Sequence, residues 1–422
     1  MTGIQDSDPG PAQSAQSAQS AQSAQSAQSA QSARPYDVVL FGATGFAGGL
    51  TADYLVEHLP SSGRMALAGR NRDKLEAVRD RLTGINPDVS EIGLLHADST
   101  DPGSLAEVAR SAKVVITTVG PYLEYGAGIV AACAAEGTDY VDLTGEPEFV
   151  DRMFVENDAT ARKTGARIVH ACGFDSIPHD LGALYTARLL PGDVPIEMRG
   201  VVRTNATMSG GTLHSALNQF SRLRPLKEAS SQRHEIETRP TDRRAKLKTE
   251  RPRRDPVTEN WLIPLPTIDG QIVKRSARTA PDIEDFGPEF TYSHNAGAKK
   301  FLTVPASIIG FPLLIAAVQI PPVRRAIAKR IAAGDGPSQE RRDRTWFTVD
   351  FVATAADKTV HTRVSGGDPG YTETAKMLAE SALCLAFDHN PELAGQLTTA
   401  TAMGPNLIDR LTAAGLTFEV LS

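Results

Sequence analysis

The chain has 422 residues, 41% of them apolar, and a formal net charge of −6. That length accommodates two domains and that apolar content fills a sizeable core, while the shortage of Lys and Arg argues against a nucleic-acid partner, whose phosphates are held by surplus positive charge. Three cysteines, Cys133, Cys172 and Cys384, are too few and too scattered for a disulfide framework or a tetrahedral zinc site, and they fit a reducing, cytoplasmic compartment.

Seven Gln-Ser-Ala units run up to Ala33. They contain no apolar h-region, so they do not form a signal peptide. A polar tripeptide repeat cannot bury enough surface to offset its ordering entropy, and residues 1–34 are expected to be a disordered tail.

From Tyr36 the pattern alternates between short apolar runs ("YDVVLFG", "RMALAG", "GLLHAD", "KVVITTVG", "DYVDLTG") and helical stretches such as "GLTADYLVEHL" and "RDKLEAVRDRL". Strands alternating with helices predict βαβ units and a parallel sheet. Because "VVLF" and "VVITTV" are apolar on both faces, helices should cover both sides of that sheet. The fold expected is α/β: a Rossmann-type, doubly wound parallel sheet over residues 35–180, followed by a second α+β domain over 181–370 and C-terminal helices over 371–422.

In the second domain, "EMRGVVRTNATMSGGTLHSALNQF" reads as a strand, a turn at Ser209–Thr212 and a helix. Residues 222–255 carry twelve Lys or Arg against six Asp or Glu and are interrupted by Pro225, Pro240 and Pro252. A solvated basic loop or an anion-binding surface both suit this composition. Phe301–Val323 is the most hydrophobic stretch of the chain. Pro305 and Pro312 break it below the roughly 20 unbroken apolar residues of a spanning helix. It suits a buried or homodimer-interface helix, an apolar channel wall, or a peripheral contact with lipid. "RTWFTVDFVATAA" and "TVHTRVSGG" alternate as antiparallel strands, and "GYTETAKMLAESALCLAF" reads as an amphipathic helix.

The loop "FGATGFAG", Phe41–Gly48, joins the first strand to the first helix. In a dinucleotide site Gly42 allows the tight turn, Gly45 lets backbone approach a pyrophosphate, and Gly48 lets the helix pack on the strand; Thr44 and Phe46 complete the expected contacts. The helix N-terminus then faces the phosphates with free N–H groups and its dipole. At the end of the second strand, where Asp or Glu would bind the ribose of NAD, the chain has "LAGRNRDKL". Arg70 and Arg72 suit the 2′-phosphate of NADP(H) instead. Asp98, after the third strand, either accepts from the adenine amino group or caps the following helix.

Ligands of open α/β sheets collect at the C-terminal strand ends, so Gly120, Pro121 and Tyr122 of "TTVGPY" should border the nicotinamide. Tyr122 is the first candidate for a proton donor. Asp175, Ser176 and His179 of "GFDSIPHD" lie near the same edge, although Asp175 alternatively caps the next helix. Cys133 and Cys172 read as small core residues rather than nucleophiles, and hydride chemistry needs no metal.

Taken in order, "FGATGFAG", "LAGR", "TTVGPYLEYG", "GTDYVDLTGE" and "CGFDSIPHDLG" resemble the saccharopine dehydrogenase-like oxidoreductases. Among these, "SGGT", "GPSQERRDRTWF" and "DPGYTETAKMLAESAL" are most similar to the trans-acting enoyl reductases of actinobacterial polyketide lipid synthesis. The resemblance implies an NADPH-dependent reductase that acts on an enoyl thioester of a lipid acyl chain. Its partner would be a polyketide synthase or acyl carrier protein. A saccharopine-type amino-acid dehydrogenase and a non-catalytic, lipid-associated NADP(H)-binding protein remain the competing readings; the former would need clustered Arg or Lys near the nicotinamide.

Overall fold

The computed structural model describes residues 34–422 apart from 88, 90, 207–220, 239 and most of 301–335. The Gln-Ser-Ala repeats, the turn at Ser209–Thr212 with its following helix, and most of the apolar segment Phe301–Val323 lie outside those residues. Among the described residues no helix is long and apolar enough to cross a membrane.

The first sheet contains β1 (Tyr36–Phe41), β2 (Met65–Gly69), β3 (Gly93–His96), β4 (Ala112–Thr117), β5 (Asp139–Asp142) and β6 (Arg167–Val169), joined by a late strand, β14 (Gly395–Leu397). Their spatial order is β14-β6-β5-β4-β1-β2-β3, and every pair is parallel. The order reverses between β1 and β4, which opens a ligand crevice at their C-terminal ends. The helices are α1 (Phe46–His58), α2 (Arg72–Ile85), α3 (Pro102–Ser111), α4 (Ala127–Glu136), α5 (Pro147–Thr164) and α6 (Ile177–Ala187). α2 starts where Asn71 accepts from the Lys74 amide, and α3 where Asp101 accepts from the Gly103 amide.

Both faces of this sheet are covered, as the doubly apolar strands require. Val39, Val115 and Tyr140 join one core with Leu105, Val130 and Phe149, and Val38, Leu40 and Ile116 join another with Leu55, Leu378 and Leu383. The second cover comes partly from α9 (Thr372–Phe387), which packs against β4, β5 and α1. Each side chain buried this fully contributes about 1.5–3 kcal/mol.

The second sheet is mixed and has eight strands: β7 (Ile196–Thr204), β8 (Arg244–Leu247), β9 (Arg253–Arg254), β10 (Trp261–Pro264), β11 (Glu289–Ala298), β12 (Phe347–Ala355), β13 (Lys358–Gly366) and β15 (Thr417–Val420). β12 and β13 pair antiparallel, as their alternation predicts, whereas β7 and β11 run parallel. α6 packs on β12 and β13, and α8 (Ile268–Thr279) packs on α6, β8 and β11.

Three boundaries differ from expectation. Arg34 is buried, its guanidinium donating to Ala112 O and Thr138 Oγ1 (both 2.5 Å) and to Glu136 O, so this residue belongs to the folded domain and not to the expected tail. The basic stretch 222–255 is not a loop. It forms α7 (Leu223–Ile236), β8 and β9, with acidic partners neutralising it: Arg222 pairs with Glu148 at 2.7 Å, Arg233 with Glu237 at 2.7 Å and with Asp151, and Arg253 with Glu250 at 3.0 Å. The C-terminal stretch is not helical throughout; besides α9 and α10 (Gly404–Ala413) it supplies β14 to the first sheet and β15 to the second.

Candidate active site

The glycine loop forms a cradle made of backbone. Gly42 has φ of +105°, and a Cβ there would lie 2.6 Å from Thr118 Oγ1. At Gly48 a Cβ would lie 2.1 Å from Gly42 O, so only glycine lets α1 close onto the turn. Gly45 is different: its Cβ would meet only Gly42 O, at 3.5 Å, and the residue is exposed together with Thr44. That leaves open space where a pyrophosphate is expected. α1 begins there with no capping side chain and no acidic residue in its first turn, so its free N–H groups are available to an anion.

At the end of β2, Arg70 is exposed and has no ion pair among the described residues, whereas Arg72 pairs with Glu76 at 3.0 Å. Asp98 lies within the field of Arg70. Its Oδ1 accepts from the Thr100 amide (2.9 Å) and hydroxyl (2.8 Å), which hold its carboxyl below the usual range. The arrangement fits an adenosine phosphate edge with a cation beside it.

The second half of the chain roofs this edge. Tyr371 meets Phe46 edge-on with ring centroids 4.9 Å apart, and the Arg342 guanidinium lies 5.5 Å from the same ring. Arg342 is fixed by Pro337 O (2.8 Å) and Thr372 Oγ1 (3.1 Å), and Asp368 accepts from the Tyr371 and Thr372 amides. These residues fall in the stretches "GPSQERRDRTWF" and "DPGYTETAK", to which the sequence assigns no role.

After β4, Gly120 and Pro121 are joined by a cis peptide bond and border the crevice. Tyr122 is buried, and its hydroxyl is engaged twice: it donates to Thr117 O (3.0 Å) and accepts from the Leu143 amide (3.1 Å). Burial and the nearby Asp142 push the phenol well above its ordinary value. Glu146 accepts from the Tyr122 and Leu123 amides (3.3 and 3.0 Å). Asp142 accepts from Tyr140 OH, the Thr144 amide and the Ala171 amide and lies 2.6 Å from His170 Nδ1, which braces the loops after β5 and β6.

Asp175 lies on the loop after β6, partly exposed, close enough that a Cβ on Gly145 would sit 2.9 Å from its Oδ2. It does not cap α6, which has no side-chain cap. Burial, then the Asp269 carboxylate, push its carboxyl up to about 7 against a pull from His179. Ser176 is fully buried and its Oγ has no partner among the described residues. One helical turn on, His179 Nδ1 is 3.1 Å from Asp269 Oδ1, and Asp269 Oδ2 is 3.5 Å from His294 Nε2. Burial raises the Asp269 carboxyl, but the two imidazoles outweigh it and hold the group far below its usual range. Sequence reasoning missed Asp269 and His294. The available signal was the same-face pair Tyr292/His294 in β11 and an acid in the first turn of α8. The three cysteines are buried and free, and burial pushes each thiol up, as core residues rather than nucleophiles require.

Known proteins agree with this architecture. Residues 38–169 match the saccharopine dehydrogenase NADP binding domain. A Mycobacterium tuberculosis relative is 37% identical over 417 residues, covering 92% of this chain and 97% of its own. Proteins of Mycobacterium bovis and Mycobacterium ulcerans, both named trans-acting enoyl reductase, are 34% and 33% identical, each alignment covering 91% of this chain and 97% of the relative. The apo saccharopine dehydrogenase (L-Glu forming) of Saccharomyces cerevisiae superposes with a TM-score of 0.52 at 13% identity, covering 92% of this chain and all of that one, a likeness of fold. The cradle, the arginine at the end of β2 and the full-length likeness lead to one conclusion: the chain belongs to the saccharopine dehydrogenase-like, NADP-dependent oxidoreductases, in the group of the trans-acting enoyl reductases.

Proposed function

We propose that the protein is an NADPH-dependent enoyl reductase that acts in trans on the enoyl thioester of a lipid acyl chain carried by a polyketide synthase or acyl carrier protein. The observation that carries this reading is the full-length likeness to the trans-acting enoyl reductases. Gly42, Thr44, Gly45, Phe46 and Gly48 hold the pyrophosphate, Arg70 pairs with the 2′-phosphate with Arg72 beside it, Asp98 borders the adenosine, and Gly120 and Pro121 border the nicotinamide. Bound NADPH supplies the hydride.

The chain's own task is orientation and proton transfer at the α-carbon of the thioester. Tyr122 has both its donor and an acceptor site committed to backbone, so its role is to brace the loops after β4 and β5. Asp175, partly exposed on the loop after β6, takes the acid–base role, with Ser176 next to it in the chain. The groups that face Asp175 are Asp269 and His179. Carboxylates at this edge repel a substrate bearing several carboxylates of its own, which disfavours a saccharopine-type amino acid.

The test is NADPH oxidation followed by nicotinamide absorbance. A trans-2-enoyl thioester on an acyl carrier protein should be reduced, and saccharopine with NADP⁺ should give no signal. Turnover of saccharopine but not of the enoyl thioester would replace this reading with the amino-acid dehydrogenase.

A further inference from the structure

Three side chains meet between the two halves of the molecule: His179 from α6, Asp269 from α8 and His294 from β11. They are 2%, 4% and 6% exposed. One ligand atom from each lies within 4.8 Å of the others.

The hydrogen-bonding of the cluster is lopsided in an informative way. Two atoms have hydrogen-bond partners: His294 Nδ1 is 3.3 Å from Tyr292 OH, and Asp269 Oδ2 accepts from Thr267 Oγ1. Four others do not. His179 Nδ1, His179 Nε2, Asp269 Oδ1 and His294 Nε2 are all buried without a hydrogen-bond partner among the described residues, although His179 Nδ1 and Asp269 Oδ1 are only 3.1 Å apart. Orphan polar atoms are costly singly, and a cluster of three side chains that carries four of them, with one atom from each side chain within 4.8 Å of the others, requires an explanation.

The local charge points the same way. Asp175, Asp180 and Asp269 lie around this point, and no Lys or Arg forms an ion pair with any of them among the described residues. Asp180 is satisfied by Ser276, Thr399 and the Ala400 amide; Asp269 keeps one oxygen unpaired.

We propose that His179, Asp269 and His294 form a binding site for a divalent transition metal of the Zn²⁺ class. Two imidazoles with one carboxylate select such an ion over Mg²⁺ or Ca²⁺, which prefer oxygen ligands throughout. Metal–ligand distances of about 2.0–2.2 Å are reached from the present spacing by small side-chain rotations. The contacts from Tyr292 to His294 and from Thr267 to Asp269 are the outer partners that orient ligands in metal sites. One ligand comes from the helix that follows the nucleotide-binding sheet and two from the second domain, so the ion would pin the halves together beside the crevice.

The test uses the full, untagged chain, stripped with a chelator and titrated with Co²⁺ and then Zn²⁺, and it does not depend on turnover. Wild type should bind one equivalent, give the visible bands of four- or five-coordinate Co²⁺, lose them to Zn²⁺ and melt at a higher temperature when loaded. Asp269→Asn and His294→Gln should each weaken binding by at least about tenfold. His294→Cys should keep the metal and add a thiolate-to-cobalt charge-transfer band, a gain that misfolding cannot mimic. Failure of wild type to take up either ion overturns the proposal. So does binding that survives unchanged in Asp269→Asn and His294→Gln, or a His294→Cys protein that binds Co²⁺ without the new band.

Discussion

The glycine edge and the acid–histidine cluster are built in opposite ways. The edge is backbone: a turn, a helix start and three glycines within eight consecutive residues, shaped by the absence of side chains. The cluster is made of side chains whose positions, 179, 269 and 294, are far apart in sequence and meet only when both domains are formed. A backbone cradle tolerates change around it and almost none within it. A side-chain cluster can lose one member and still leave the fold standing, so the two regions should fail differently.

Asp175 borders the cluster, beside His179 and Asp269, and its replacement gives the largest expected effect on rate. Asp175→Asn should lower turnover of an enoyl thioester by about 100-fold or more, the common scale of acid–base catalysis, with NADPH affinity within about twofold of wild type. Steady-state kinetics beside a fluorescence titration of NADPH separate the two. Equal losses in both would mean that edge and cluster act as one unit.

Arg70→Asp tests the edge alone. Losing a charge-assisted contact and adding repulsion should cost about 2 kcal/mol or more of NADPH binding relative to NADH, roughly a 30-fold swing in preference, with the melting temperature unchanged. An unaltered preference would place recognition of the 2′-phosphate at another side chain.

Gly48 and Gly45 sharpen the contrast within the loop. In Gly48→Ala the new methyl meets Gly42 O, and overpacking of this kind costs about 1–3 kcal/mol of stability, visible as a lower melting temperature. Gly45→Ala has room for its methyl and should melt like wild type while binding NADPH more weakly. If Gly45→Ala binds NADPH normally, the pyrophosphate does not lie over that residue.

The smallest effect belongs to Tyr122→Phe. It removes the hydroxyl bonded to Thr117 O and Leu143 N, costing about 1 kcal/mol or somewhat more of stability, and turnover should stay within about tenfold of wild type. A drop of 100-fold at unchanged stability would return the proton donor's role to the phenol.

Local features were legible in the sequence where one short stretch carries the whole cause. The doubly apolar strands Val38–Phe41 and Val114–Thr117 and the tight turn at Gly42 and Gly48 are set by adjacent residues, without help from distant ones. Tyr122 follows β4 as the sequence implies, but the commitment of its hydroxyl depends on Leu143, on another strand's loop. Asp269 and His294 look like an ordinary first-turn acid and an ordinary strand residue until β11 and α6 come together. The basic stretch 222–255 misleads for the same reason: its neutralising partners Glu148 and Asp151 lie on α5, seventy or more residues earlier.

The edge strand β14 gives the fold a direction in time. Gly395–Leu397 completes the outer border of the nucleotide-binding sheet beside Arg167–Val169, although more than two hundred residues separate the two strands. During synthesis the first sheet therefore waits, with the β6 border open, until the second domain and α9 have left the ribosome. An excised nucleotide-binding fragment ending near residue 180 would keep that border bare, offering unpaired backbone to any passing strand. The two halves of this reductase are separate sheets in space, yet neither border nor core of the first is complete without chain that follows most of the second.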